Sequence, residues 1–120
     1  MKIHWMDEPE EHDYPAARSY LTLLMEEHWA EQTTTKLHKA DMSEFKAKDI
    51  FRASHLPLLG LSNTHIKHNL EKIKAGEKLS PLLLVRVKGD LFIADGYHRL
   101  CAVYSFDEDA MIPCKIVSVD

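Results

Sequence analysis

The alternation of apolar and polar positions divides the chain into an irregular start, a helical half and a strand-rich end. Residues 1–12 are polar and acidic without a sustained period, and predict an irregular arm. Asp13-Tyr14-Pro15 reads as a helix start: Asp or Tyr can cap it, and proline suits the first turn, where no N–H is needed. Ala17, Tyr20, Leu21, Leu24 and His28 then share one face, which predicts an amphipathic helix over 15–30. Thr33-Thr34-Thr35 disfavours its continuation, since β-branched side chains lose χ1 freedom in a helix, and suits a loop or short strand through Leu37. Near 43–54 a short helix capped by Ser43, with Phe45, Ile50 and Phe51 apolar, competes with a strand, because Phe45-Lys46-Ala47-Lys48 alternates.

From residue 62 the signals sharpen. Ser62 or Asn63 caps a helix whose Ile66, Leu70 and Ile73 repeat at i, i+4 and i+7, and Gly76 sits where a C′ glycine belongs. Pro81-Leu82-Leu83-Leu84-Val85-Arg86-Val87 predicts a strand that is apolar on both faces, hence central. Lys88-Gly89-Asp90 is a tight hairpin signal, and Leu91-Phe92-Ile93-Ala94 the return strand. Asp95-Gly96 breaks it, 97–105 carries a helical pattern, Asp107-Glu108-Asp109 is a loop, and Ile112 to Val119 is a last strand with Pro113 near its start. The expected fold class is α+β, a small mixed sheet packed with helices. Leu70, Leu82, Leu84, Val85, Phe92, Ile93 and Ile116 are the expected core, and Tyr14, Tyr20, Trp29 and Phe45 are read as packing residues.

Length narrows the picture further. With 120 residues the chain is expected to be one domain, 1–120, in which 1–35 supply the acidic arm and first helix. Lys and Arg total 15 against 19 Asp and Glu, a net charge of −4, which argues against a generic polyanion binder. The charge is uneven: residues 1–35 are net −6, 36–78 net +4 and 79–120 net −2. The middle excess reads as solvated helix faces or as one mildly basic face suited to a phosphate-bearing ligand. No apolar run approaches the roughly 18 residues that span a bilayer, and Met1-Lys2 before an acidic stretch does not read as a signal peptide, so no membrane association is expected. Cys101 and Cys114 make neither a disulfide framework nor a zinc spacing, so both are expected to be reduced, and a cytoplasmic location is the default.

The chemistry concentrates in Ile93-Ala94-Asp95-Gly96-Tyr97-His98-Arg99-Leu100-Cys101-Ala102, a strand, a glycine turn and the first turn of a helix. Free N–H groups and the positive end of the helix dipole meet there, a combination that stabilises an anion. Gly96 permits close backbone approach or positive φ. Tyr97 and His98 offer backbone N–H groups, and Arg99, one turn in, can grip two phosphate oxygens with its planar fork. His98 can donate a hydrogen bond or move a proton near neutral pH, and Asp95 can cap the helix or hold Mg²⁺ beside phosphates. The competing reading is a capped helix whose arginine faces water.

This stretch resembles the superfamily that joins the ParB N-terminal domain with sulfiredoxin, and the resemblance covers roughly residues 56–117. It rests on the capped helix ending at Gly76, the Leu79-to-Val85 strand, the hairpin, and Asp95-Gly96-Tyr97-His98-Arg99 with Ala102 beyond. ParB-like chains place a Gly-x-x-Arg turn after the hairpin, matched by Gly96 and Arg99. Sulfiredoxins have Gly-Gly-Cys-His-Arg, matched by Gly96, His98 and Arg99. A related free-serine kinase group has Asp-Gly-His-His-Arg, matched by Asp95, Gly96, His98 and Arg99. The turn binds nucleotide phosphates in all three groups, so the resemblance implies that role here for Gly96, Tyr97, His98 and Arg99. It also implies a nucleotide with Mg²⁺ as cofactor or substrate, and phosphoryl transfer or NTP hydrolysis carried by Asp95 and His98. The alternative is a nucleic-acid-associated or partner-binding module without catalysis.

The departures narrow this. Tyr97 stands where sulfiredoxin needs its cysteine, and a phenol near pKa 10 cannot replace a thiolate, so sulfinic acid repair is not expected. Cys101, four residues on, reads as core. The helix-turn-helix region that gives ParB its specific DNA recognition has no counterpart in these residues, so sequence-specific DNA binding is not expected. The serine kinase group carries its catalytic carboxylate early in the chain; the arm's Asp7, Glu8, Glu10 and Glu11 are acidic too, but the match stops at the phosphate turn. His65, His68 and Glu71 have a spacing compatible with zinc, though a solvated helix face is the commoner meaning, and no metal ligand is assigned. Lys67, Lys72, Lys74 and Lys78 either line a basic surface near the turn or solubilise their helix.

Overall fold

A computed structural model describes residues 2–119. A four-stranded mixed sheet lies between two helical layers. In chain order the elements are β1 (His4–Trp5), α1 (Asp13–Leu21), α2 (Glu27–Lys39), β2 (Ser43–Lys46), α3 (Ala47–Ser54), α4 (Thr64–Lys74), β3 (Lys78–Leu79), β4 (Leu82–Val87), β5 (Asp90–Asp95), α5 (Tyr97–Phe106) and β6 (Met111–Val119). The sheet order is β2-β6-β4-β5, with β6 parallel to β4 and the outer pairs antiparallel. The α+β expectation holds at that level, and among the described residues no helix is long and apolar enough to cross a membrane.

β4 is central because both of its faces must be covered. Leu82 and Leu84 join the core under α3, α4 and α5, and Leu83 and Val85 join the second core under α1 and α2. All four are fully buried. Lys88 and Gly89 both take positive φ, 51° and 87°, as a hairpin turn that follows the strand twist requires. β4 and β5 then pair regularly until Leu84 faces Ile93, whereas Leu83 faces Asp95. The extra residue, Ala94, is a bulge that re-aims the chain just before Asp95-Gly96.

The helical half departs from the expected pattern. In place of one helix over 15–30 there are two, and Thr33-Thr34-Thr35 lies inside α2. Burial decides it: Ala30, Thr33 and Leu37 repeat at i, i+3 and i+7 against the sheet. Thr34 and Thr35 hydroxyls donate to the Ala30 and Glu31 carbonyls, so neither polar group is lost. Leu23 and Leu24, in the break, point outward, Leu23 at 81% exposure. The strand reading of 43–54 holds over Ser43–Lys46, on β6, and the helix reading only from Ala47, so Ser43 lies in the strand and does not cap α3. α4 is capped by Asn63, whose Oδ1 accepts from the His65 and Ile66 N–H groups, and Gly76 follows at φ 74°.

The arm is not wholly irregular. β1 pairs in parallel with β3, and the Met6 N–H donates to Leu79 O at 2.8 Å. Lys115, buried on β6, fastens it from the other side, donating to His38 O at 2.8 Å and pairing with Glu8 at 3.1 Å. Of the expected core, Leu82, Leu84, Val85 and Ile93 are buried, Leu70 and Ile116 are half-buried against it, and Phe92 is half-buried but belongs to neither core cluster. Tyr14 packs as expected, but Trp29 and Phe45 are exposed, Phe45 because β2 is an edge strand of the sheet.

Leu84→Ala should lower unfolding stability by about 2–5 kcal/mol, the cost of a cavity at a fully buried site. Urea unfolding measures it, and a loss below about 1 kcal/mol would place Leu84 at a yielding edge instead.

Candidate functional site

The predicted turn lies where β5 meets α5. Gly96 caps α5 at φ 109°, and no side chain caps the helix. The first intrahelical bond runs from the Leu100 N–H to Gly96 O, so the N–H groups of 97–99 precede the ladder. A Cβ on Gly96 would lie 2.8 Å from Leu82 Cγ and 3.0 Å from Arg99 Nη2. Glycine is therefore needed for backbone conformation and for packing, and a side chain there disturbs the fold before it obstructs any ligand.

In front of the turn is a small open cleft of about 210 Å³, lined by Asp95, Gly96, Tyr97, His98, Arg99 and, from α4, His65 and Asn69. The His65 and His98 rings face one another with centroids 4.8 Å apart. Burial, His65 and Arg99 together hold His98 below its ordinary pKa, favouring the neutral imidazole. Tyr97 faces the neighbouring loop, where its hydroxyl donates to Pro57 O. None of Lys67, Lys72, Lys74 and Lys78 lines the cleft. His68 and Glu71 are exposed on α4 and do not join His65 in a ligand set.

Arg99 does not point into water. Its Nη2 donates to Asp95 Oδ2 at 3.0 Å and to Pro81 O at 3.4 Å, and it lies 3.7 Å from Asp13 Oδ2. Its Nε is buried without a partner. Asp13, nearly fully buried, also accepts from Ser80 Oγ at 2.5 Å, and Ser80 Oγ accepts from the Glu10 N–H. Burial raises the Asp95 pKa against the lowering pull of Arg99, and Asp13 raises it further. One guanidinium thus sits between two carboxylates, and the knot carries a net negative charge if both are ionised.

The turn itself was legible because five consecutive residues build it. Asp13, Ser80, His65 and Asn69 were not assigned to it, because they arrive from elements far away in sequence. The pattern offered one partial signal, the acidic helix start at Asp13, which reads locally as a cap. Glu10, His12 and Asp13 present ligand atoms within 4.8 Å of one another, but His12 already contacts Glu10 at 2.8 Å and Asp13 at 3.4 Å.

Compared with protein-family models, with curated proteins and with solved structures, the chain matches none.

Cys101 and Cys114 are free and buried; burial raises both thiols, Cys114 to about 12. Iodoacetamide at neutral pH should therefore label neither until the protein unfolds; rapid native labelling, read by mass spectrometry, would contradict this.

Arg99→Ala leaves two carboxylates facing each other and should cost about 3–5 kcal/mol in denaturant unfolding. A loss below about 1 kcal/mol would mean that the knot holds nothing together.

The His98 pKa gives a pH dependence with a fixed sign. Below 6.5 the unfolded chain takes the proton before the folded one does, so stability falls as pH drops from 6.5 through the lowered folded value. His98→Asn should flatten that part of the stability curve, and an unchanged curve would contradict the burial of the imidazole.

Proposed function

We propose that the α5 turn binds the phosphates of a nucleotide or related small molecule, within a ParB/sulfiredoxin-like fold. The observation that carries this is the α5 N-terminus at a left-handed Gly96, without a side-chain cap, opening on a cleft that holds two histidines and an asparagine amide. The N–H groups of 97–99 and the helix dipole favour an anion there. The match of Asp95, Gly96, His98 and Arg99 to phosphate-binding turns supports the same reading.

The acids shape which anion fits. A bare phosphate approaching Asp95 meets like charge, which Arg99 offsets only in part. Oxygen donors of the Asp95 type suit Mg²⁺, so a nucleotide carrying that ion matches the site better than free phosphate does. Mg²⁺ supplies charge neutralisation to the phosphoryl group when bound. Asp95 would face the metal side, and the 97–99 N–H groups would hold oxygens. A neutral His98 can accept a proton from an attacking hydroxyl or water, which is the role that phosphoryl transfer or NTP hydrolysis asks of it. Arg99 would serve the phosphates by letting go of Asp13 or Asp95.

Calorimetric titration of ATP, ADP and CTP, each with Mg²⁺, into the wild type, His98→Ala, Asn69→Ala and Arg99→Lys tests this. At least one nucleotide should bind below about 1 mM. His98→Ala and Arg99→Lys should each weaken it roughly tenfold, and Asn69→Ala somewhat less, as expected for lost hydrogen bonds to a charged group. Affinity should rise as pH falls below 6.5, because an anion favours protonated His98, opposite in sign to the stability trend. No binding at millimolar concentration, or equal binding by all three folded variants, would make the turn purely structural. Duplex DNA that binds more tightly than any nucleotide, with a steep salt dependence, would favour the nucleic-acid module instead.

A further inference from the structure

The sheet face opposite α1 and α2 is incompletely roofed at the end away from the α5 turn. α3 is only eight residues long, and toward the β4–β5 hairpin Arg86 and Gly89 are exposed and Leu91 is half-buried. Register places Leu84 beside Ile93 and Ile116, and Arg86 beside Leu91 and Ser118. An open pocket of about 390 Å³ lies between this corner of the sheet and α3. That volume is within the range of small-ligand sites, about 300–1,000 Å³. Its walls are Phe45, Ile50, Leu84, Leu91 and Ile116, with Arg86 as the one guanidinium. Leu84 and Ile50 are buried, whereas Leu91 and Ile116 stay half-exposed and Phe45 is exposed, so the apolar lining is open to a visitor.

The charges around it are not balanced. Arg86 donates from Nη1 to Ser118 Oγ at 3.3 Å, and among the described residues no carboxylate lies within ion-pair distance of it. Asp49, the acid that lines the pocket, is already held by Arg52 at 2.9 Å. His55, the other titratable lining group, adds no negative charge. Arg86 is exposed at the pocket edge and, among the described residues, has no carboxylate partner, so an apolar floor beside it suits an apolar body with one anionic end. The N–H fork of a guanidinium matches the two oxygens of a carboxylate, and the small open pocket beside it suits a compact singly charged head.

We propose that this pocket binds a small monocarboxylic acid, with its apolar body against Leu84, Leu91 and Ile116 and its carboxylate on Arg86. The site is separate from the α5 turn: on β5, Leu91 faces Arg86 near the hairpin, and Asp95 faces Leu83 at the far end. Neither reading depends on the other.

Amide shifts of the ¹⁵N-labelled full chain report the test during titration with 3-phenylpropionate, 3-phenylpropanol and phenylalanine, which share one apolar body. The acid should saturate below about 10 mM, with shifts centred on Ala53, Arg86 and Leu91. The alcohol should bind about tenfold more weakly. Arg86→Gln should bring the acid down to the level of the alcohol, and Ala53→Phe, which fills the pocket from an exposed helix position, should abolish both. The proposal is overturned by an acid that does not saturate, by an alcohol that binds as tightly, or by an Arg86→Gln variant that binds the acid unchanged. Shifts centred on 97–99 would overturn it too, and phenylalanine binding more tightly than the acid would assign Asp49 as a second anchor, for an ammonium, and so replace an acid with one charged end by a zwitterionic amino acid.

Discussion

The contact of Arg99 with Asp95 and Asp13 is the interaction on which the rest of the molecule converges. Asp95 ends β5, Arg99 lies one turn into α5, Asp13 opens α1, and Ser80 and Pro81 lead into β4. Four segments from across the chain thus meet around one guanidinium with little access to water. Charges this poorly hydrated must be matched among themselves, because an unpaired one costs several kcal/mol. The match ties the arm and α1 to the start of β4 and to the β5–α5 turn, and His65 of α4 meets His98 beside it. Closure of the fold and construction of the candidate site are therefore one event.

That coupling bears on the chemistry. A helix N-terminus attracts anions, but this one has a carboxylate beside it, and the cleft draws no lysine from α4. A ligand must bring positive charge, or take Arg99 from its carboxylates, or meet protonated histidines. Each route makes binding depend on pH or on a divalent cation, unlike the behaviour of a simple basic patch. The opposite corner of the sheet is simpler, an apolar surface with one unmatched guanidinium, and it needs no rearrangement to receive a ligand.

How much of this was legible follows from the range of the interactions. Leu82 to Val85 identify a central strand because apolar residues on both faces need cover on both faces, and Lys88-Gly89 declares its turn through local backbone conformation. Asn63 and Gly76 bound α4 by bonds within a few residues. The turn at Asp95–Arg99 was visible for the same reason. The α1–α2 break was not: Leu24 fits the helical period of Ala17 and Leu21, and the threonines look like breakers, yet burial of Thr33 and Leu37 outweighs propensity. Ser80 and Asp13 are 67 residues apart, and nothing local to either shows that the Ser80 hydroxyl donates to the Asp13 carboxylate.

Phosphate oxygens held by the α5 N-terminus would form hydrogen bonds to its first backbone N–H groups. The most direct measurement follows backbone amide shifts of the ¹⁵N-labelled protein as Mg²⁺ and ATP are added together. The Tyr97, His98 and Arg99 amides should shift furthest, downfield as hydrogen bonds to oxygen form, with His65 and Asn69 following. A titration that leaves those three amides in place while others move, or that moves nothing at millimolar nucleotide, would contradict it.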